Sequence, residues 1–88
     1  MTNLFNELSS KNYGDFTYET GNKYFKEIEV SVCFWTSEIE VRYYVGTLLS
    51  PVKKEKYHSL HGMFGASTLE NKFNEIIENL PTHNPFWN

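Results

Sequence analysis

The sequence predicts an α+β fold: an antiparallel sheet of three or four strands built round a long central hairpin, a C-terminal helix packed on one face and a short N-terminal helix. Three observations carry this expectation. Residues 27–35 and 38–49 alternate apolar and polar positions, the period of half-buried strands. Residues 69–80 switch to helical spacing. Fifteen aromatic side chains (seven Phe, six Tyr, two Trp) in 88 residues supply large buried areas for a core. A chain this short buries only roughly 60–65% of its unfolded surface, so it is read as one domain, 1–88, with 81–88 an extended tail.

Leu4, Phe5 and Leu8 recur at helical spacing between Asn3 and Ser10, with Thr2 or Asn3 to cap the helix and Gly14 to stop it. Phe16, Thr17, Tyr18 and Thr20 favour a strand, and Gly21-Asn22 is a turn signal leading to the next one.

In the hairpin, Ile28, Val30, Val32 and Phe34 share one face, and Ile39, Val41, Tyr43 and Val45 are in phase with them. Folding at Thr36-Ser37 sets Phe34 opposite Ile39, Val32 opposite Val41, Val30 opposite Tyr43 and Ile28 opposite Val45. On the other face Cys33 then meets Glu40, Ser31 meets Arg42 and Glu29 meets Tyr44. Thr-Ser is a poor type I′ pair, so a longer or irregular tip that keeps this register is expected.

Residues 51–61 admit two readings. Ser50-Pro51 and Gly62 could bracket a helix, but Val52, Tyr57 and Leu60 make a poor stripe, and Lys53 and Lys54 would oppose the helix dipole. A turn at Lys53 to Lys56 and a strand from Tyr57 to Phe64 is preferred. Ser67-Thr-Leu-Glu70 has capping-box spacing for a last helix, whose stripe is Leu69, Phe73, Ile76, Ile77 and Leu80. Pro81 ends it, and Phe86 and Trp87 are candidates to dock back from the tail.

Eleven acidic against eight basic residues give a net charge of −3, which removes the long-range attraction used by most nucleic-acid binders. One cysteine, Cys33, has no partner for an intramolecular disulfide. The segment Met1 to Lys11 lacks the basic and apolar regions of an export signal, and no stretch approaches the ~20 apolar residues of a membrane span. A cytoplasmic location with no membrane partner is expected. Seven lysines to one arginine, with nine asparagines, fit AT-rich coding such as that of many phages and low-GC bacteria, and a phage or mobile-element origin is expected.

No motif in the sequence points to catalytic or metal chemistry. His58-x-x-His61 with His83 and Cys33 is the sole candidate set for zinc, but in a strand residues three apart point to opposite faces. A Cys33 nucleophile has no base aimed at it by the sequence, and a neighbouring carboxylate would raise its pKa. Gly62-x-x-Gly65 lacks the lysine and glycine pattern of a phosphate cradle. No catalytic residue, metal or cofactor is therefore assigned. The order helix, three strands, helix is similar in outline to the double-stranded-RNA-binding domain. The turn opening the last helix, Thr68-Leu69-Glu70-Asn71, lacks the lysines that resemblance would require.

The non-core face of the hairpin stands out instead. It gathers Glu27, Glu29, Glu38 and Glu40 around Trp35, Cys33, Tyr44 and Arg42, a composition that suits an interface: aromatic and arginine anchors ringed by steering charge. The expected function is a small non-enzymatic protein-binding module, an inhibitor or adaptor acting on a host or cellular enzyme with a basic surface. Lys53, Lys54, Lys56, Tyr57, Phe86 and Trp87 form a secondary surface. The alternatives are a nucleic-acid-binding domain using the Lys53 to Tyr57 turn, which the net charge disfavours, and a homodimeric structural protein.

Overall fold

The hydrophobic alternation of the central hairpin organises the protein as seen in a computed structural model, which describes residues 4–47, 49–65 and 67–80. The elements are helix α1 (Leu4–Lys11), strands β1 (Phe16–Thr20), β2 (Glu27–Cys33), β3 (Glu38–Tyr44) and β4 (Lys53–His58), a 3₁₀ turn (Ser59–His61) and helix α2 (Leu69–Asn79). The strands form one antiparallel sheet in the order β1-β2-β3-β4. This is the expected α+β fold with four strands.

Ile28, Val30, Val32, Ile39 and Val41 are buried on one face, and both helices pack against it. α1 contributes Phe5 and α2 contributes Phe73, whose rings meet at 5.6 Å and close on Phe16 at 5.7 and 5.4 Å. Phe34 joins the group at 5.5 Å from Phe5. Tilted and edge-on rings at these separations add to the area they bury, which explains how so short a chain holds a core. Gly21 follows β1 because nothing larger fits: a Cβ there would lie 2.3 Å from the Lys26 carbonyl oxygen. Asn22 then shapes the loop, its Oδ1 accepting from the backbone N–H of Tyr24 and of Phe25 at 2.7 Å each.

Five expectations are corrected. Glu29 pairs with Arg42, Val30 with Val41, Val32 with Ile39 and Cys33 with Glu38, so the hairpin register is shifted by two residues. A shift of two preserves every face, which is why the core assignment survives it. The cause is the tip: Phe34 to Ser37 form a four-residue turn closed by the Ser37 N–H on the Phe34 carbonyl, with Ser37 alone at positive φ, 52°. Val45 consequently falls beyond β3 and is exposed.

Lys53 to Lys56 are strand, not turn, and Tyr57 to Phe64 are not a third long strand. Pairing with β3 imposes extension on a lysine-rich segment of low β propensity, and Gly62 at φ 73° ends the 3₁₀ turn that follows. Finally, Thr68 rather than Ser67 caps α2, its Oγ1 accepting from the Asn71 N–H at 3.1 Å. The proposed caps Thr2 and Asn3, and the tail 81–88 with Pro81, His83, Phe86 and Trp87, lie outside the described residues.

Candidate functional site

Because both helices cover one face, the other carries the side chains that β1 to β4 direct away from the core. The register arranges them in rows: Thr17, Ser31, Glu40 and Lys56; Glu19, Glu29, Arg42 and Lys54; Cys33, Glu38 and His58; Glu27 and Tyr44. Every expected hairpin-face residue except Trp35 is therefore in one surface, and Lys54 and Lys56 join it from β4. Sequence reasoning placed those lysines elsewhere and left out Glu19, which the alternation of β1 against Phe16 and Tyr18 would have located.

Charge is distributed unevenly across this face. Arg42 donates from Nε to Glu29 Oε1 at 3.0 Å, from Nη1 to Glu40 and from Nη2 to Ser31 Oγ at 2.6 Å. The Tyr44 hydroxyl donates to the same Glu29 oxygen at 2.9 Å, and this bond to a carboxylate holds its pKa above the ordinary tyrosine value. Partial burial of the guanidinium acts to lower the Arg42 pKa, but the bonds to Glu40 and Glu29 outweigh it and the net shift is upward. Lys56 Nζ lies 3.7 Å from Glu38 and 3.9 Å from Glu40. Glu29, Glu38 and Glu40 thus each have an ion-pair partner within the sheet. The uncompensated negative charge sits at Glu19 and Glu27, which form no ion pair among the described residues and whose carboxylate oxygens lie with one of Glu29 within 4.8 Å of one another.

A second surface lies at the hairpin end. Trp35 is 94% exposed on the four-residue turn, and nothing among the described residues covers it. The turn is anchored on both flanks. The Phe34 N–H donates to Asp15 Oδ1 at 3.0 Å, and the Ser37 carbonyl accepts from the Ser59 N–H at 3.3 Å. These bonds bring the α1–β1 connection and the 3₁₀ turn to the same end as Trp35; the first carries the exposed side chain of Tyr13, the second that of Leu60, and the exposed Met63 follows two residues after the turn. The strand expected from Tyr57 to Phe64 includes Leu60 and Met63 and gives no sign that both are exposed.

On the helical side a cleft of about 310 Å³ separates β4 from α2, lined by Lys53 and Tyr57 of the secondary surface and by Glu55. The Tyr43 hydroxyl donates to Glu55 at 2.8 Å, Lys53 lies 5.2 Å from the Tyr43 ring and Lys72 lies 4.9 Å from the Tyr57 ring. Burial, then the bond to Glu55, push the Tyr43 pKa well above its ordinary value, and burial raises that of Tyr57. These polar groups finish the edge of the core where β4 supplies no aliphatic side chain. Lys54 and Lys56 point to the opposite face, so the basic cluster is divided between two surfaces.

Of the candidate zinc set, Cys33 and His58 stand in one row with Glu38 between them, and the side chains of His61 and His83 lie outside what is described. His58 Nδ1 accepts from the Leu60 N–H at 3.1 Å, committing that nitrogen to the 3₁₀ turn. No protein-family model matches the chain, and neither curated proteins nor solved structures give a match.

Proposed function

We propose that this protein is a binding module for another protein and that Trp35 is the anchor of its contact surface, with the open sheet face beside it supplying orientation and steering. The observation that carries this reading is the almost complete exposure of an indole on a turn tied down by Asp15 and Ser59. A tryptophan held out on a fixed backbone loses little conformational freedom on binding and buries a large area, the property of interface hot spots. Tyr13, Leu60 and Met63, exposed on or next to the segments bonded to the turn, add apolar side chains at the same end of the molecule.

The partner chemistry follows from the charge that the sheet leaves unbalanced. Glu19 and Glu27 bias the far side of the open face toward a basic partner, whereas Glu29, Glu38 and Glu40 are already satisfied by Arg42 and Lys56. An inhibitor or adaptor acting on an enzyme with a basic surface fits this arrangement, in the manner of small phage-encoded proteins. The test is capture from a lysate of the source cell with the wild type, Trp35→Ala and Glu27→Lys as baits. A protein retained by the wild type, lost with Trp35→Ala and weakened in a salt-dependent way with Glu27→Lys supports the reading. Equal retention by all three baits, or no stoichiometric capture by any, overturns it.

A further inference from the structure

We propose that β1 pairs edge to edge with β1 of a second copy of this chain, antiparallel about a two-fold axis at Tyr18, joining two four-stranded sheets into one of eight. The inference does not depend on the role of Trp35. It starts from the two edges of the sheet, β1 and β4, which among the described residues have no further strand beside them and so present backbone donors and acceptors to any strand that can approach.

The edges differ in how they receive a copy of themselves. β4 carries Lys53, Lys54 and Lys56, and symmetric registers centred on Lys54, Glu55 or Lys56 each place like charges opposite one another. Lysine on an edge strand is a common obstacle to such pairing. β1 carries none, and its sequence Phe16-Thr-Tyr-Glu-Thr20 is rich in strand-forming side chains.

Overlap and charge together select the register, since centring on Phe16 or Thr20 leaves only one residue of β1 facing its copy. A two-fold perpendicular to the sheet must pass through a residue, because directly opposed residues share a face. Centring on Thr17 opposes Asp15 to Glu19 of the copy, and centring on Glu19 opposes two glutamates. Centring on Tyr18 opposes Thr17 to Glu19, Phe16 to Thr20 and Tyr18 to itself, with no like charges directly opposite one another. It also sets a hydroxyl opposite Glu19, a carboxylate that faces Glu29 within its own sheet and has no ion pair among the described residues. Phe16 and Tyr18 lie on the helical face, so the α1 helices of the two copies fall on the same side of the joined sheet.

Sedimentation equilibrium of the full chain from micromolar to near-millimolar concentration tests this, with circular dichroism and thermal melts confirming that each variant folds. A monomer–dimer equilibrium is expected for the wild type. Thr17→Glu sets like charges opposite at two symmetric places and is expected to raise the dissociation constant by roughly 2- to 30-fold, and Thr17→Lys to lower it by a similar factor. The double variant Thr17→Glu with Glu19→Lys, which exchanges the charges, is expected to restore the dimer. A monomer at every concentration overturns the proposal, as does a dimer that responds in the same direction to both single variants. A ladder of longer species, the signature of head-to-tail β1–β4 contacts, overturns it too.

Discussion

Arg42 Nε lies 3.0 Å from Oε1 of Glu29, the residue directly opposite it across β2 and β3, and this contact organises the open face of the sheet. The guanidinium also binds Glu40 and Ser31, so three neighbours depend on one cation. Arg42→Met keeps the stem but leaves Glu29 and Glu40 without that partner, beside the unbalanced Glu19 and Glu27. A loss of about 1–3 kcal/mol is expected in urea unfolding, diminished when high salt screens the remaining carboxylates. An unchanged midpoint at low salt would show that water replaces the arginine without loss.

Phe73→Ala tests the opposite face. Its ring is fully buried between Phe5 and Phe16, so truncation removes the contact that joins α2 to α1 and β1. Destabilisation of about 3–5 kcal/mol is expected, against about 2 kcal/mol or less for Val32→Ala, which removes two methyl groups from a site that its neighbours can partly refill. Comparable losses for both would mean that the aromatic cluster relaxes as readily as the sheet.

These two faces also show what was legible in the sequence and what was not. The period-two pattern of residues 27–35 and 38–49 identified the faces because burial of Val30 and Val41 requires it, but that period is blind to a shift of two. Register was settled by the tip, where Ser37 takes the positive φ and the chain spends four residues on the turn. β4 was misplaced because Lys53, Lys54 and Lys56 carry no strand signal of their own; their extended state comes from hydrogen bonding to β3. For the candidate site, the membership of Glu27, Glu29, Glu38, Glu40, Arg42 and Tyr44 in one face was readable. The neutralising role of Lys56 and the convergence of Leu60 and Met63 on the Trp35 end were not, since both depend on where β4 lies.

Alkaline pH offers a separate probe, through Tyr43. Burial and the bond to Glu55 raise its pKa above the ordinary value of 10.0, so above pH 10 the unfolded chain releases this proton while the native state keeps it. Its contribution is fully present below that pH and is lost as pH rises toward the folded-state value, at a slope approaching about 1.4 kcal/mol per pH unit. Tyr57, whose pKa burial also raises, shifts in the same direction. Tyr43→Phe is expected to be less stable than the wild type at neutral pH, by the loss of its hydrogen bond, yet to lose less on going from pH 9 to pH 11. Parallel stability curves for the two proteins would place the alkaline sensitivity elsewhere.

Trp35 can be observed directly, because the sequence contains only one other tryptophan, Trp87. In a Trp87→Phe background the emission spectrum reports Trp35 alone. An indole 94% exposed on its turn is expected to emit as free tryptophan does in water and to be quenched by iodide almost as efficiently. Asp15→Ala removes the acceptor of the Phe34 N–H and loosens the turn without uncovering the indole further. It is therefore expected to leave the emission maximum unchanged while lowering the fluorescence anisotropy, as the side chain gains local motion. The same variant separates rigidity from contact once a partner is in hand: a preorganised anchor predicts weaker binding for Asp15→Ala although Trp35 itself is intact. A blue-shifted, poorly quenched emission from the isolated Trp87→Phe protein would show that Trp35 is covered in solution, and the contact surface would then have to lie elsewhere.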